Sequence, residues 1–170
     1  MADRISLRQF QEALNQRIAQ ARTGALDEVR LAVQAGRRSW LIRLPDVGEV
    51  VSLPKLMPVP RTRAWFCGVA NARGSLYGVV DLGAFLGEAV AEPGASARLL
   101  LVGRRHGALC ALLVERVLGL RKLSDFTPEP QGASDNPWAG PALRDQAGAR
   151  WAELEVGALL HADRFLQIAA

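Results

Sequence analysis

The chain has 170 residues, of which 49% are hydrophobic and 22% are charged. This composition is typical of a folded globular protein, because disordered chains carry fewer apolar residues and more unbalanced charge. The net charge is +4, but the first 38 residues alone carry seven arginines against four acidic residues. The rest of the sequence is therefore nearly neutral, and it lacks the dense basic surface that sequence-independent binding of nucleic acid requires.

The N-terminus has no apolar segment of the signal-peptide type. No stretch reaches the length of about 18 apolar residues that a membrane-spanning helix needs. The sequence therefore predicts a cytoplasmic protein that does not insert directly into a membrane. Cys67 and Cys110 both lie within apolar runs, which is typical of buried thiols rather than of disulfides or redox sites.

An amphipathic helix is predicted near the N-terminus. Ser6 and Gln9 have the spacing of a capping box, and Ile5 and Phe10 have the spacing of a hydrophobic staple. Apolar residues then recur every three or four positions, which predicts a helix over residues 6–22 within an N-terminal extension at residues 1–27. This helix has two possible roles: its apolar stripe packs on the rest of the chain, or it docks a partner or a second copy.

After this helix the pattern becomes one of short strands. The sequence predicts strands and turns in this order: a hairpin over 31–44, an extended proline-containing segment at 56–60, a hairpin over 64–81, one helical turn at 82–87 and a linker at 88–97. The predictions then continue with a hairpin over 98–114, strand pieces at 115–120 and 122–126, a long loop at 127–141, a hairpin over 141–154, a short helix at 156–160 and a strand at 165–168.

Many short strands at this spacing predict a mainly β protein built as small barrels or as a sandwich. The linker at 87–96 could separate two such units.

The sequence gives little support for catalysis, because His106 lies in a predicted exposed turn and His161 near a helix end. Asp81 and Glu115 each end an apolar run, but nothing in the sequence pairs them for acid and base work. No catalytic residue, metal ligand or cofactor site is predicted.

The most distinctive polar group is Arg73, which lies between small residues at the corner of the predicted 64–81 hairpin. Its guanidinium could project from that corner and offer a planar fork to a carboxylate of a partner. Alternatively, Arg73 could form an intramolecular clamp with Asp81 or with the turn carbonyls. Glu49 poses the same choice between a partner contact and an internal contact.

The run from Gly68 to Leu82, followed by Phe85-Leu86-Gly87, resembles the G-V-x-N-x-R-G…V-x-D-L…L-G signature of the CheW-like adaptor domain. The resemblance covers about residues 30–169. The Val47–Val50 segment is similar to a V-x-E-V segment of the family. The helical extension and the amino-acid sequence that begins at Trp65 resemble the PilI type of the twitching-motility branch.

This resemblance implies two small five-stranded SH3-like barrels packed together over residues 28–170. It also implies a non-enzymatic adaptor that couples the cytoplasmic tip of a chemoreceptor to the regulatory domain of a CheA-type histidine kinase, without a cofactor. The partner-binding residues that it implies are Val47, Glu49, Gly68, Asn71, Arg73 and Gly74. The main alternative is a basic small-barrel protein that binds nucleic acid, since SH3-like folds often do, and an enzyme ranks third.

Overall fold

A computed structural model describes residues 28–88, 90, 92–129 and 136–170. The N-terminal helix predicted at 6–22 lies outside the described residues. The strands are β1 (Val29–Ala35), β2 (Arg38–Arg43), β3 (Val47–Ser52), β4 (Phe66–Ala72), β5 (Ser75–Asp81), β6 (Arg98–Val102), β7 (Cys110–Val114), β8 (Arg116–Lys122), β9 (Phe126–Pro128), β10 (Ala139–Asp145) and β11 (Arg150–Leu154). The helices are α1 (Leu82–Phe85), α2 (Val156–His161) and α3 (Asp163–Leu166).

The strands form two curled sheets, which confirms the mainly β, two-unit architecture. The first sheet has the order β8-β1-β2-β11-β10-β9, and the second has the order β3-β6-β7-β5-β4. Each sheet contains one parallel pair, β2 with β11 and β5 with β7, among antiparallel neighbours. The first sheet has six strands rather than the expected five, because the three-residue β9 also pairs with β10.

The chain crosses between the sheets at two places, and neither is the predicted linker. Strands β1 and β2 belong to the first sheet, β3 to β7 to the second, and β8 to β11 to the first again. The linker at 87–96 joins α1 to β6 within the second unit, so the prediction that it separates two units is wrong. The prediction assumed that neighbouring strands in the sequence belong to the same unit, whereas β11 pairs with β2 across more than a hundred residues.

Successive side chains of the central strands contribute to different apolar cores. In β6, Leu100 and Val102 pack into a large core between the two sheets, whereas Leu99 and Leu101 pack into the interior of the second sheet. In the first sheet, Trp40 and Ile42 lie in the shared core and Leu41 lies inside the curl. Strands buried on both faces become continuous apolar runs rather than alternating ones, which explains the sequence pattern.

The shared core is completed by aromatic rings from the C-terminal part of the chain. Phe85 lies 5.4 Å from Trp138 and 5.3 Å from Phe165, measured between ring centroids, and Trp65 lies 5.2 Å from Phe85. Phe165 belongs to α3, so the strand predicted at 165–168 is wrong. Only an isolated bridge between Thr62 and Ala169 remains of it, because the aromatic core holds Phe165 in a helical turn.

The region after β7 also differs in detail from its prediction. The two strand pieces expected at 115–120 and 122–126 are one strand, β8, which ends at Lys122. A 3-10 turn over Leu123–Asp125 follows, and Phe126 then begins β9. Both Leu123 and Phe126 pack inside the first sheet, so the 3-10 turn and the start of β9 contribute apolar side chains to its interior.

Candidate docking site

The corner of the β4–β5 hairpin is a two-residue turn that consists of Arg73 and Gly74. Ala72 pairs with Ser75 across the hairpin. Arg73 has a φ of 52° and Gly74 a φ of 79°, and positive values at both central positions are the geometry of a type I′ turn. This turn matches the twist of the strands, so the hairpin presents the Arg73 side chain at its tip in a fixed direction.

Arg73 forms an ion pair with Glu49 of β3. The Nε of Arg73 donates to Oε1 of Glu49 at 2.9 Å and to Oε2 at 3.2 Å, and Nη2 of Arg73 also contacts Oε1. Strands β3 and β4 are the two opposite edges of the second sheet. The ion pair therefore links the two edges of the curl at this end of the unit.

The structure brings together two residues whose roles the sequence left open. Arg73 does not pair with Asp81, which instead accepts a hydrogen bond from the amide of Ala84 at 3.1 Å and caps α1. The Arg73 and Glu49 side chains remain 72% and 38% exposed. The pair is thus an intramolecular clamp that also remains accessible to a partner.

The ion pair stabilises the charged forms of both Glu49 and Arg73. The hydrogen bond from Arg73 lowers the pKa of Glu49, and the same bond raises the pKa of Arg73. Asp81 behaves differently, because its burial raises the pKa of its carboxyl. Near neutral pH the exposed corner therefore carries a bound carboxylate and a guanidinium that still has free N–H donors.

A shallow groove runs beside the ion pair between the edges of β3 and β4. Its lining consists of Glu49, Val50, Val51, Ser52, Pro54, Asn71, Ala72 and Arg73. Val50 is 39% exposed, and Leu76, which pairs with Asn71 across the hairpin, is 55% exposed. Charged and apolar groups exposed next to each other are typical of docking surfaces.

Two of the residues implied by the family signature lie away from this surface. Gly68 is buried in β4 with a φ of 112°, and a Cβ built on it would lie 2.1 Å from the carbonyl oxygen of Met57. Val47 begins β3 and packs against the core between the sheets. Glu49, Asn71, Arg73 and Gly74 are therefore the implied residues that meet at the corner, whereas Gly68 and Val47 support it from within.

Sequence reasoning missed a buried polar cluster where the chain first crosses between the sheets. Asp46 is 4% exposed, and its Oδ1 lies 2.9 Å from Nε2 of His106 and 3.5 Å from Nε of Arg105. His106 was expected in an exposed turn, but its side chain is largely buried against this carboxylate. No local pattern marks the contact, because the partners lie 60 residues apart in the chain.

The described part of the chain contains neither a candidate membrane-spanning helix nor a candidate metal-binding cluster. Within residues 28–88, 90, 92–129 and 136–170, no helix has the length and apolar character needed to cross a membrane. Within the same ranges, no three His, Cys, Asp or Glu side chains come together in an arrangement that could hold a metal ion.

Comparison with known proteins identifies relatives of this chain. A family profile described as the CheW-like domain matches residues 30–164. Protein PilI of Pseudomonas aeruginosa is 32% identical over 91 residues, covering 54% of this chain and 51% of PilI. Protein FrzA of Myxococcus xanthus is 36% identical over 89 residues, covering 51% of this chain and 55% of FrzA. The matched segments thus span about half the length of these two relatives.

The chain is also similar to a further relative in sequence and to a solved structure in fold. Chemotaxis protein CheW of Rhizobium meliloti is 30% identical over 107 residues, which cover 62% of this chain and 68% of that protein. The crystal structure of the scaffolding protein TtCheW from Thermoanaerobacter tengcongensis superposes with a TM-score of 0.67 at 17% identity, covering 81% of this chain and 95% of that one. At that identity the superposition shows a shared fold.

Proposed function

Since the chain belongs to the CheW-like domain family, we propose that it is a non-enzymatic adaptor that couples a chemoreceptor to a CheA-type histidine kinase. The observation that carries this proposal is the Arg73–Glu49 ion pair at an exposed hairpin tip. Nothing in this arrangement resembles a nucleophile with a base, and its chemistry is that of recognition. The similarity to PilI and FrzA supports a pathway that controls motility, and we infer type IV pilus twitching as its output.

The docking corner suits a partner that presents a carboxylate beside apolar side chains. The Arg73 guanidinium uses Nε and Nη2 for Glu49, and Arg has five N–H donors in a planar fork. The remaining donors could bind a partner carboxylate, while Val50 and Leu76 would lose exposed apolar surface. A docked partner would therefore gain both a charge-assisted hydrogen bond and apolar burial.

An adaptor of this kind transmits a signal by geometry. The ion pair links the two edges of the second sheet, and the shared apolar core packs that sheet against the first. A rigid body with separate docking surfaces holds two partners in one arrangement. A shift in the receptor then changes which arrangements the kinase can adopt, because each partner biases the equilibrium of the other.

Co-purification tests this proposal. The tagged chain, expressed in its native host, should capture a histidine kinase and a chemoreceptor. Arg73→Ala should lower the captured amount of at least one of these two proteins. Arg104→Ala is a matched control, because Arg104 is also exposed but lies in the turn between β6 and β7. Normal circular dichroism of Arg73→Ala would assign the loss to docking. A set of captured proteins without a kinase or receptor would contradict the proposal.

A further inference from the structure

A row of arginines crosses three strands of the first sheet, far in sequence from the Arg73 corner. Arg144 of β10 pairs directly with Arg150 of β11. Trp151 pairs with Ser39 in the parallel ladder between β11 and β2, so Arg150 lies beside Arg38 one step earlier along both strands. Like charges placed directly opposite each other destabilise a sheet, so this row needs an anion.

The fold itself supplies one carboxylate to this row. Nε and Nη2 of Arg144 both donate to Oε1 of Glu129, and Nε of Arg150 lies 3.2 Å from Oε2 of the same side chain. The hydrogen bond from Arg144 is the main cause of the lowered pKa of Glu129. Two guanidiniums thus share one carboxylate, and within the described ranges the side chain of the third arginine of the row, Arg38, has no hydrogen bond or ion pair.

A groove of about 350 Å³ lies next to this row, lined in part by Arg37, Arg38, Glu129 and Arg150. Trp40, Ala152 and Ala142 follow one another in register across β2, β11 and β10 and line the groove, so two of these three positions have small side chains. The two alanines leave a depression where larger side chains would stand. The groove therefore combines small apolar side chains with three arginines and one carboxylate, Glu129.

An unsatisfied donor also lies at this groove. Trp40 lines the groove and is 1% exposed, and none of the described residues accepts a hydrogen bond from its indole Nε1. Buried indole N–H groups usually find an acceptor. Among the described residues, the exposed Arg38 guanidinium at the rim and the buried N–H of Trp40 thus both lack an acceptor.

We propose that this groove is a second docking site, which binds an extended acidic segment of a partner protein. A carboxylate of that segment would pair with Arg38 and Arg37, in the way that Glu129 already pairs with Arg144 and Arg150. A neighbouring small apolar side chain would fill the depression above Ala142 and Ala152. This site lies on the first sheet, so it is separate from the Arg73 corner on the second.

An acidic peptide fits these observations better than a nucleic acid does. Binding of single strands relies on exposed aromatic faces on which bases stack, whereas Trp40 is buried and Trp151 is 9% exposed. Neutralising a phosphate backbone also requires a long basic surface, and this rim already contains Glu129. The carboxylate bound to Arg144 and Arg150 shows that the row accepts that chemistry.

Fluorescence anisotropy tests the proposal. The full chain is titrated into a short fluorescein-labelled peptide in which Asp alternates with Ala, and into a matched peptide with Asn in place of Asp. Saturable binding of the Asp peptide only is expected. Arg38→Ala should weaken that binding roughly tenfold, because a hydrogen bond between charged groups is lost, whereas Arg104→Ala should leave it unchanged.

A second variant tests the shape of the groove without a change of charge. Ala142→Leu should block the depression and weaken binding of the Asp peptide, with thermal melting as the check on folding. Equal binding of the Asn peptide, or equal effects of Arg38→Ala and Arg104→Ala, would overturn the proposal. The proposal would also be overturned, in favour of a nucleic-acid site, if random single-stranded DNA displaced the labelled peptide at a lower concentration than unlabelled Asp peptide does.

Discussion

Gly68 shows how a signature residue of the docking hairpin can act through packing rather than through contact with a partner. Gly68 lies next to Val69, which exchanges two backbone hydrogen bonds of 2.8 Å with Met57. A Cβ at position 68 would meet the Met57 carbonyl oxygen at 2.1 Å and the Cα of Pro58 at 2.8 Å. Gly68→Ala therefore cannot be accommodated unless the 57–58 segment moves away from β4.

The cost of this substitution has two parts. Alanine at a φ of 112° is strained by about 1–3 kcal/mol. Displacing the 57–58 segment breaks both hydrogen bonds between Met57 and Val69, which removes about 2 kcal/mol in total. We therefore expect Gly68→Ala to lower the free energy of unfolding by about 3–5 kcal/mol and the Tm by roughly 10 °C.

Gly74→Ala is the matched control for this prediction. Gly74 also has a positive φ, of 79°, but a Cβ built on it meets nothing within 4 Å. Gly74→Ala should therefore lower the free energy of unfolding only by the backbone strain, about 1–2 kcal/mol. Urea unfolding monitored by tryptophan fluorescence measures both variants. If Gly68→Ala lowers stability no more than Gly74→Ala does, the close approach of Met57 is not what requires glycine at position 68.

Three other results are expected. The double variant Arg73→Glu, Glu49→Arg keeps an ion pair at the corner with the charges exchanged, so its thermal melting should match that of the wild type. It should still capture less kinase or receptor, because the exposed guanidinium has moved to the other strand; full capture would show that the pair acts only as a clamp. The indole N–H of Trp151 holds the pKa of Asp145 below its usual 3.8, so this carboxylate stabilises the fold above that pH and progressively less below it. Asp145→Asn should accordingly be less stable than the wild type at pH 7 in urea unfolding, with the difference shrinking as the pH falls below 3.8, whereas a constant difference would refute the assignment. Burial raises the pKa of Cys110 to about 12, so a thiol reagent at pH 8 should modify Cys110 only after denaturant is added, and rapid labelling of the native chain would contradict its burial.

Local patterns predicted the parts of the fold that depend on neighbouring residues. The hairpin tip at Arg73 and Gly74 and the hairpin from β10 to β11 were found where small residues and turn residues interrupt apolar runs. The helical turn at Leu82–Phe85 follows directly from its cap, Asp81. In each case the decisive contacts lie within a few residues, so the sequence carries the signal.

Other features depend on contacts between distant parts of the chain and left no local signal. The pairing of β2 with β11 decides which strands form the first sheet, and it was not apparent from either strand. The burial of Asp46 depends on His106 across the crossing between the sheets. The arginine row needs the registers of three strands before Arg38 and Arg150 become neighbours. The family signature marked the Arg73 corner, but only the structure places Glu49 beside it.

The central claim is that this chain couples a receptor to a kinase through the Arg73 corner. Its most direct test is a phosphorylation assay with the chemoreceptor and histidine kinase of the native host, with and without the full chain. We expect receptor-dependent control of kinase autophosphorylation only when the chain is present, and loss of that control with Arg73→Glu but not with Arg104→Ala. Equal receptor control in the absence of the chain, or full control with Arg73→Glu, would contradict the account.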